Sequence, residues 1–360
     1  MKGDHQNMYR TQQEIKDQFR ALDQTLNYIK EKEAYFTPFY QNAKKVIVFG
    51  CGSSYMLAKS AASQLEQMAG IPAAAVAAGD YLVNEAAYKK MIQGACLISI
   101  SRSGSTSEII RAVRLAKDNG AKACLSVCAR ENAEIAAYSE YNLELPWCYD
   151  TSVCQTRTVT NLYAALLMAT AVFSKDQELI GCLMQVPEAA GSYQAQFDKA
   201  FEEIAAWSWK RGIVLADAGM AGIAEEGALA FKEICQCDSN YYHLLDSRHG
   251  PMVMIGPETV VLALVTNQTP GLQYELLQDV RKKGAPCVYF DTNVREPEIF
   301  AKEENMIRIQ LPCEKRPEAA VLFMMYGIQR ITCERAVNSG INPDEPNGLD
   351  AWIELKEGEA

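Results

Sequence analysis

Short apolar runs alternate with amphipathic segments along most of this chain. Runs of the first half lie at residues 45–49, 73–77, 95–100, 123–128 and 142–145. Their length and their content of β-branched residues are typical of buried strands, and the segments between them have helical spacing. Because strand and helix alternate, we expect a parallel sheet with helices on both faces.

The alternation repeats in the second half. A helix predicted at about 157–173 closes the first cycle, and a more polar helical stretch at 177–207 leads to the second. The second cycle has predicted strands at 212–216, 260–265 and 286–290, and predicted helices at about 221–236, 271–284 and 317–338. The fold class is therefore α/β, with two doubly wound parallel sheets that form a diverged internal repeat.

Ahead of the first strand, apolar residues recur every three or four positions between residues 8 and 30, which predicts an amphipathic helix. We expect it to pack on the main body or on a second subunit. The predicted organisation is an N-terminal helix (1–34), a first domain (35–185), a second domain (195–345) and a C-terminal tail (346–360).

Composition narrows the range of functions. The 360 residues suffice for two domains, and the net charge of -10 disfavours nucleic acid or an anionic membrane as a partner. We see no apolar run of roughly 18 residues and no signal-peptide pattern, so we expect a cytoplasmic protein. The twelve cysteines are scattered without a CxxC pair, and there are three histidines. We therefore expect reduced thiols, no metal site and no cofactor.

The run from Ser101 to Thr106 concentrates the candidate chemistry. Its sequence, Ser-Arg-Ser-Gly-Ser-Thr, lies between a predicted buried strand and a predicted helix. The free N–H groups at a helix start favour an anion, and hydroxyls add hydrogen bonds without fixed charge, so the run suits a phosphate monoester. The alternative is a helix N-cap cluster, because Ser and Thr are common caps.

A second glycine turn, Gly50-Cys51-Gly52-Ser53-Ser54, follows the first strand. It could be the start of a dinucleotide fingerprint. However, Tyr55 occupies the third glycine position, and no acidic residue follows the second strand at the expected distance. A nucleotide-dependent dehydrogenase is therefore disfavoured.

Taken in order, five segments resemble the sugar isomerase (SIS) family, in particular its double-SIS enzymes with flavodoxin-like domains. They are the glycine turn at 50–54, the hydroxyl run at 101–106, and the segments 152–158, 226–234 and 248–251. Relatives of this kind include the isomerase half of glucosamine-6-phosphate synthase, the tagatose-6-phosphate ketose/aldose isomerases and the fructosamine-6-phosphate deglycases.

The resemblance implies a sugar 6-phosphate held by Ser101, Arg102, Ser103 and Thr106. It implies sugar contacts from Gly52, Ser53, Ser54, Val153 and Gln155. Glu233 matches the base that moves a proton between C1 and C2. His249 matches the residue that opens the sugar ring from the neighbouring subunit, which implies a homodimer or a higher homo-oligomer.

The chain departs from the synthase pattern at two lysines. Ala230 stands where one is expected, and the stretch Leu349-Asp350-Ala351-Trp352 covers the place of the other. There is also no glutaminase segment and no Cys at position 2, so we do not expect a complete synthase. The deglycases likewise keep the Glu and the His without the helix lysine, whereas the segment 342–349 looks more like the ketose/aldose isomerases.

Each candidate has a plainer alternative. Glu233 could be a helix-surface carboxylate paired with Lys232 or Lys210, and His249 could be a hydrogen-bonded structural histidine. For His243 we favour the structural reading. Arg102 stands where relatives often have a neutral residue, so it could pair with phosphate or with a carboxylate on the substrate.

We therefore expect an enzyme that isomerises a 6-phosphorylated ketose or aldose, or removes an amine from a phosphosugar, through an enediol or enolamine. The missing lysines favour amine removal slightly. The alternative is a non-catalytic phosphosugar sensor, which could keep the phosphate loop and lose Glu233 and His249.

Overall fold

The computed structural model describes residues 8–295, 305–350 and 355. The first sheet is parallel and covers the first half of the chain. Its strands are β1 (Val46–Gly50), β2 (Ala73–Ala77), β3 (Cys96–Ser101), β4 (Cys124–Cys128) and β5 (Tyr141–Glu144). Their order across the sheet is β2-β1-β3-β4-β5. This is the flavodoxin-like order, which differs from the 3-2-1-4-5-6 order of dinucleotide-binding sheets.

The second sheet repeats this topology. Its strands are β6 (Arg211–Leu215), β7 (Asp238–Tyr242), β8 (Thr259–Val265), β9 (Cys287–Asp291) and β10 (Met306–Gln310). They are all parallel and follow the order β7-β6-β8-β9-β10, which is the first order displaced by five strands. The predicted α/β internal repeat is thus confirmed.

Eleven α-helices of the described residues surround and separate the sheets. They are α1 (Arg10–Glu31), α2 (Glu33–Asn42), α3 (Ser53–Ala69), α4 (Ala78–Val83), α5 (Glu85–Ile92), α6 (Ser107–Asp118), α7 (Arg157–Ser174), α8 (Gln177–Ala205), α9 (Ala221–Cys235), α10 (Pro270–Lys282) and α11 (Pro317–Asn338). None of the helices in the described part of the chain is both long enough and apolar enough to cross a bilayer.

The largest core lies between the two sheets. Alternate residues of the central strands, such as Val46 and Val48 of β1 and Leu262 and Leu264 of β8, enter one shared core. The residues between them, such as Ile47, belong to separate outer cores. Most residues of α7 and α11 are buried, as expected for helices that pass through a core. The two halves therefore form one continuous packed unit.

The helices α3 and α9 occupy equivalent places in the two repeats and pack directly against each other. Glu225 of α9 pairs with Lys59 of α3 at 2.7 Å. A Cβ on Gly222 would come within 2.2 Å of the Met56 carbonyl oxygen, so the backbones approach closely there. The helices run antiparallel, and this carries the C-terminal end of α9 past the start of α3, toward the first sheet.

The predicted boundary between the domains falls inside α8, which runs without a break from Gln177 to Ala205. The domain limits therefore stay predictions. The predicted N-terminal helix is present as α1, and a further helix, α2, follows it. Within the tail, residues 351–354 and 356–360 lie outside the described residues, as do residues 1–7 of the N-terminal segment.

Candidate active site

A cavity of about 220 Å³ opens beyond the carboxyl ends of β1 and β3. In flavodoxin-like sheets this is the place where the strand order reverses and where ligands bind. Nine of the eleven predicted site residues line the cavity: Gly52, Ser53, Ser54, Ser101, Arg102, Ser103, Thr106, Gln155 and Glu233. The fold thus brings together segments that are more than 180 positions apart in the sequence.

The hydroxyl loop between β3 and α6 is held in shape by hydrogen bonds among its own residues. Ser101 Oγ accepts a hydrogen bond from the Gly104 N–H at 3.0 Å and lies 3.1 Å from Thr106 Oγ1. Ser103 Oγ accepts from the Ser105 N–H at 3.1 Å. The α-helix α6 begins at Ser107, directly after the loop. Its first N–H groups and the positive end of its dipole therefore face the loop, which suits a bound anion.

Gly104 gives the loop its tight turn. Its φ is +63°, in the left-handed region, and a Cβ at this position would come within 2.4 Å of Ala133 Cβ. Its carbonyl accepts a hydrogen bond from the Ile135 N–H at 2.9 Å, which ties the loop to the segment after β4. A side chain at position 104 would displace the loop.

Arg102 ties the hydroxyl loop to the segment before α7. Its Nη1 donates to the carbonyl oxygens of Ser152 at 3.1 Å and Val153 at 2.9 Å, and the residue is 7% exposed. The guanidinium also lies close enough to Glu233 to lower the pKa of that carboxyl. Arg102 thus bridges the predicted phosphate loop and the predicted base.

Two buried carboxylates shape the segment that carries Gln155. Asp150 accepts from the backbone N–H groups of Thr156 at 2.7 Å and Thr158 at 2.8 Å. Glu14 of α1 accepts from the Thr151 N–H at 2.6 Å. Gln155 lines the cavity, and its Oε1 is buried without a hydrogen-bond partner among the described residues. An unpaired buried amide oxygen beside a cavity is suited to accept a hydrogen bond from a ligand hydroxyl.

Glu233 lies in the last turn of α9 and faces the cavity. Burial raises its pKa to about 7, because the effect of desolvation exceeds the opposing attraction of Arg102. A carboxyl with a pKa near neutrality can both accept and donate a proton at physiological pH. The alternative of a surface carboxylate paired with Lys210 does not fit, because Lys210 pairs with Glu258 at 2.5 Å.

Glu226 lies two turns before Glu233 on the same helix and is 2% exposed. Burial and the nearby Glu233 raise its pKa well above the usual value, although the hydroxyl of Ser53 hydrogen-bonds it. Its Oε2 has no hydrogen-bond partner in the described part of the chain. The surroundings of Glu226 at the start of α3 therefore favour the neutral form of its carboxyl.

Two predicted site residues do not line the cavity. The N–H of Val153 donates to the Asp344 carbonyl at 3.0 Å, and its own carbonyl accepts from Arg102, so its backbone is already bonded within the protein. His249 is exposed on the loop between β7 and β8. That His249 reaches the site of a neighbouring subunit therefore stays a prediction.

Sequence reasoning missed two carboxylates of the cavity, Glu108 and Asp350. Glu108 is the second residue of α6, immediately after the hydroxyl loop, and its proximity to that motif could have indicated it. Asp350 comes from the tail, more than 240 positions away, and no local pattern connects it to the loop. The neighbouring Ala351 and Trp352 lie outside the described residues.

A second cavity of about 330 Å³ occupies the equivalent place in the second repeat. It is lined by Asp217 after β6, by Thr266 after β8 and by Gln67 near the end of α3. In the loop after β8, which corresponds to the hydroxyl loop of the first repeat, the side chain of Gln273 hydrogen-bonds the backbone. Its Oε1 accepts from the Thr266 N–H at 2.9 Å. The two clefts have therefore diverged: among the described residues that line them, the hydroxyl loop and a carboxyl at the end of the crossing helix belong to the first.

Comparison with known proteins agrees with this geometry. Residues 39–173 match the sequence model of the SIS domain family. These residues are thus similar to a SIS domain. The match covers the whole first sheet and the hydroxyl loop, so the resemblance seen in the sequence is confirmed there.

Similarity to curated proteins extends beyond residues 39–173 over most of the chain. Glutamine–fructose-6-phosphate aminotransferase (isomerizing) of Shewanella oneidensis is 28% identical over 93% of this chain and 57% of its own length. The chain thus spans a little over half the length of that curated relative.

Solved structures share the fold. Tagatose-6-phosphate ketose/aldose isomerase from Escherichia coli has a TM-score of 0.81 at 23% identity and covers 97% of both chains. Glucosamine-6-phosphate deaminase from Thermotoga maritima has a TM-score of 0.74 at 19% identity and covers 96% of this chain and 100% of its own. At these identities the likeness shows the fold alone, which here includes both repeats.

Proposed function

We propose that this protein is an enzyme that binds a sugar 6-phosphate and moves a proton between adjacent carbons of the open-chain sugar. The observation that carries the proposal is Glu233, a carboxyl with a pKa of about 7 in the same cavity as the hydroxyl loop of the SIS domain. A phosphate site alone would serve a sensor. A base with a pKa near neutrality beside that site serves a reaction.

The phosphate would occupy the loop formed by Ser101, Ser103 and Thr106, at the start of α6. There the hydroxyls and the helix N–H groups supply hydrogen bonds to its oxygens. The sugar would extend across the cavity toward Ser54 and Gln155. This direction places the carbons at the far end from the phosphate beside Glu233.

Glu233 would then remove the proton from the carbon next to the sugar carbonyl and return it to the neighbouring carbon. The electron pair of the broken C–H bond forms an enediol, or an enolamine if an amine is attached. In an isomerase the proton from Glu233 completes the aldose or ketose. In a deaminase or deglycase, return of the proton to the neighbouring carbon converts the enolamine into an imine. Water then adds to the C=N carbon, and the amine departs as the carbonyl forms. The same carboxyl serves both reactions.

Ring opening is assigned to His249 of a second subunit, as the sequence resemblance implies. The exposed position of His249, outside the cavity of its own chain, supports this assignment. The curated relative is named as an isomerizing aminotransferase of fructose 6-phosphate, and two structures of the same fold are named as an isomerase and a deaminase of sugar phosphates. These names support the substrate class.

The test is turnover on fructose 6-phosphate, glucosamine 6-phosphate and a 6-phosphorylated fructosyl amino acid, with ketose–aldose conversion and released amine both measured. We expect turnover of at least one compound, reduced by about 10²–10⁴-fold in Glu233→Gln. Glu226→Gln is the matched control, because it makes the same change in a second buried carboxyl of the same helix, outside the lining of the cavity. Binding of these compounds without turnover would instead favour the phosphosugar sensor.

A further inference from the structure

Two thiols lie at the end of the helix that carries Glu233. Cys235 is the last residue of α9, and Cys237 follows it after a single residue, Gln236, directly before β7. Both are free thiols, and neither is among the described residues that line the first cavity. The proposed proton transfer uses neither of them, so this pair has no role in the chemistry described above.

The backbone between the two cysteines is compact. Gln236 has a φ of +53° and a ψ of +36°, a left-handed conformation that is uncommon for a residue other than glycine. An extended central residue would separate the flanking Cα atoms by about 7 Å, the limit of what a disulfide can span. The left-handed turn shortens this separation. It folds Cys237 back on the helix end, where its N–H donates to the Phe231 carbonyl at 3.0 Å and its Sγ donates to the Cys235 carbonyl at 3.5 Å.

The two thiols differ in exposure and in ionisation. Cys235 is 2% exposed, whereas Cys237 is partly exposed. A hydrogen bond from the Cys235 thiol and the nearby Arg335 cation hold the pKa of Cys237 below its usual value, against the opposing effect of burial. The same hydrogen bond, together with burial, raises the pKa of Cys235. A partly exposed thiol that ionises readily, beside a buried one, is the arrangement of an attacking and a resolving cysteine.

Arg335 of α11 is fixed beside this pair. Its guanidinium donates to the carbonyl oxygens of Trp207 at 3.0 Å and Trp209 at 2.8 Å, and it lies 4.5 Å from the centroid of the Trp209 ring. These partners are neutral groups, so the positive charge of Arg335 remains available to favour an anion at Cys237.

We propose that Cys235 and Cys237 are a redox-active dithiol that closes to a disulfide by exchange with small-molecule disulfides, and that closure lowers the activity of the cavity at Glu233. The second part rests on the proposed function. The Cys237 thiolate attacks one sulfur of the small disulfide and displaces the other as a thiolate. Cys235 then gives up its proton, and its sulfur attacks Cys237 in the mixed disulfide and displaces the second thiolate. Two protein thiols thus lose two electrons and two protons, and the small disulfide becomes two thiols.

Closure would act on Glu233 through the end of α9. Glu233 lies two positions before Cys235, in the same last turn. The S–S bond removes the hydrogen bonds that both thiols donate to carbonyl oxygens of this turn, and it changes the backbone at Gln236. Gln236 Nε2 donates to the Asn347 carbonyl at 2.8 Å, three positions before Asp350 of the cavity wall. A change at this helix end therefore reaches the cavity through the helix and through the tail.

The test is peptide mapping of the full-length protein after incubation with glutathione disulfide at neutral pH and alkylation of the remaining thiols. Trypsin cleaves after Lys232 and Arg248, so one peptide, residues 233–248, contains both thiols and no other cysteine. We expect this peptide to become lighter by two hydrogen atoms and to resist alkylation, and dithiothreitol to reverse both changes. Cys235→Ser should instead accumulate a glutathione adduct at Cys237, and Cys237→Ser should form no disulfide in this peptide.

Cys182 of α8 is the internal control, because it is also partly exposed but burial raises its pKa. It should react with glutathione disulfide at least about tenfold more slowly than Cys237. Equal rates would overturn the role of Cys237 as the attacking thiol. A peptide that keeps both thiols, or that carries glutathione adducts without an internal disulfide in the unmodified protein, would overturn the dithiol itself, whether or not the enzyme turns over.

Turnover of the phosphosugar panel is measured on the same samples. Oxidation should lower it severalfold, dithiothreitol should restore it, and Cys237→Ser should keep its turnover under oxidising conditions. Unchanged turnover after complete closure would overturn the control of the cavity by the dithiol. Absence of turnover in the reduced protein would overturn the proposed function and this control with it, while the mass of the peptide would still decide whether the disulfide forms.

Discussion

Two carboxyl groups on one helix have different properties because their surroundings differ. Glu226 and Glu233 are seven positions apart on α9, and burial raises the pKa of both. Glu226 is packed against the start of α3, where burial and the nearby Glu233 raise its pKa well above the usual value. Glu233 faces the cavity and Arg102, whose cation offsets part of the desolvation and leaves the pKa at about 7. One carboxyl is thus a structural hydrogen-bonding group, and the other can exchange protons.

The pH dependence of turnover follows from this difference. Glu233 must be ionised to remove a proton, so kcat/KM should rise with pH through about 7. Because the Arg102 cation favours the ionised form of Glu233, Arg102→Gln should raise the pKa of Glu233 and shift the rise of kcat/KM to higher pH. Arg114→Gln, the same change on the exposed face of α6, should leave the pH of this rise unchanged. A rise that stays at the same pH or shifts to lower pH in Arg102→Gln would contradict this electrostatic account.

Site residues that belong to a recognisable short motif could be predicted from the sequence. Residues that reach the site from a segment remote in sequence could not. The hydroxyl run is predicted from its own local pattern and Glu233 from the resemblance of its segment to the SIS family, and both line the cavity. Glu14 and Asp350 were missed, since each reaches the site from a segment remote in sequence. Val153 was predicted to contact the sugar, whereas its backbone groups bond Arg102 and Asp344.

At the scale of elements, the site depends on how tightly loops and helices approach one another. The left-handed Gly104 fixes the loop after β3, and Gly222 fixes the spacing of α3 and α9. Strand prediction succeeded for the central strands, which are largely continuous apolar runs. It missed the edge strands β7 and β10, because their sequences, Asp-Ser-Asn-Tyr-Tyr and Met-Ile-Arg-Ile-Gln, contain polar residues and lack an uninterrupted apolar run.

Substitution of Gly104 by Ala tests the loop directly. The left-handed backbone and the 2.4 Å approach to Ala133 Cβ should lower the free energy of unfolding by at least about 1–2 kcal/mol and weaken phosphosugar binding. Gly181→Ala is the control, because Gly181 lies inside α8 with open space around its Cβ position. There the same change should be neutral or stabilising by about 0.5–1 kcal/mol. Chemical denaturation and calorimetry measure both effects, and equal behaviour of the two variants would contradict the packing argument.

The whole molecule is a duplicated fold with an unequal distribution of chemistry. The repeats share strand order and helix placement, yet in the part of the chain that the structure describes the hydroxyl loop lines the first cleft and not the second. The antiparallel packing of α3 on α9 carries Glu233 of the second repeat into the cleft of the first. The corresponding end of α3 presents Gln67 to the second cleft, where it offers no titratable group. Each repeat thus contributes a different part of one site.

The predicted contribution of His249 from a second subunit is testable by mixing inactive variants. Glu233→Gln and His249→Asn should each lose turnover alone. If each site combines Glu233 of one subunit with His249 of its partner, subunit exchange creates one intact site per mixed dimer. A statistical mixture should therefore regain about a quarter of the unmodified activity. No recovery, after subunit exchange is verified by mass spectrometry, would contradict the shared site.

The central claim is that Glu233 exchanges a proton with a phosphosugar carbon, and hydrogen exchange measures this step itself. The protein is incubated in D₂O with each 6-phosphorylated sugar of the panel, and deuterium at C1 and C2 is followed by NMR. We predict incorporation with the unmodified protein and with Glu226→Gln, and its loss in Glu233→Gln with ligand binding retained. Incorporation that persists in Glu233→Gln, or none from any ligand that the unmodified protein binds, would contradict the account.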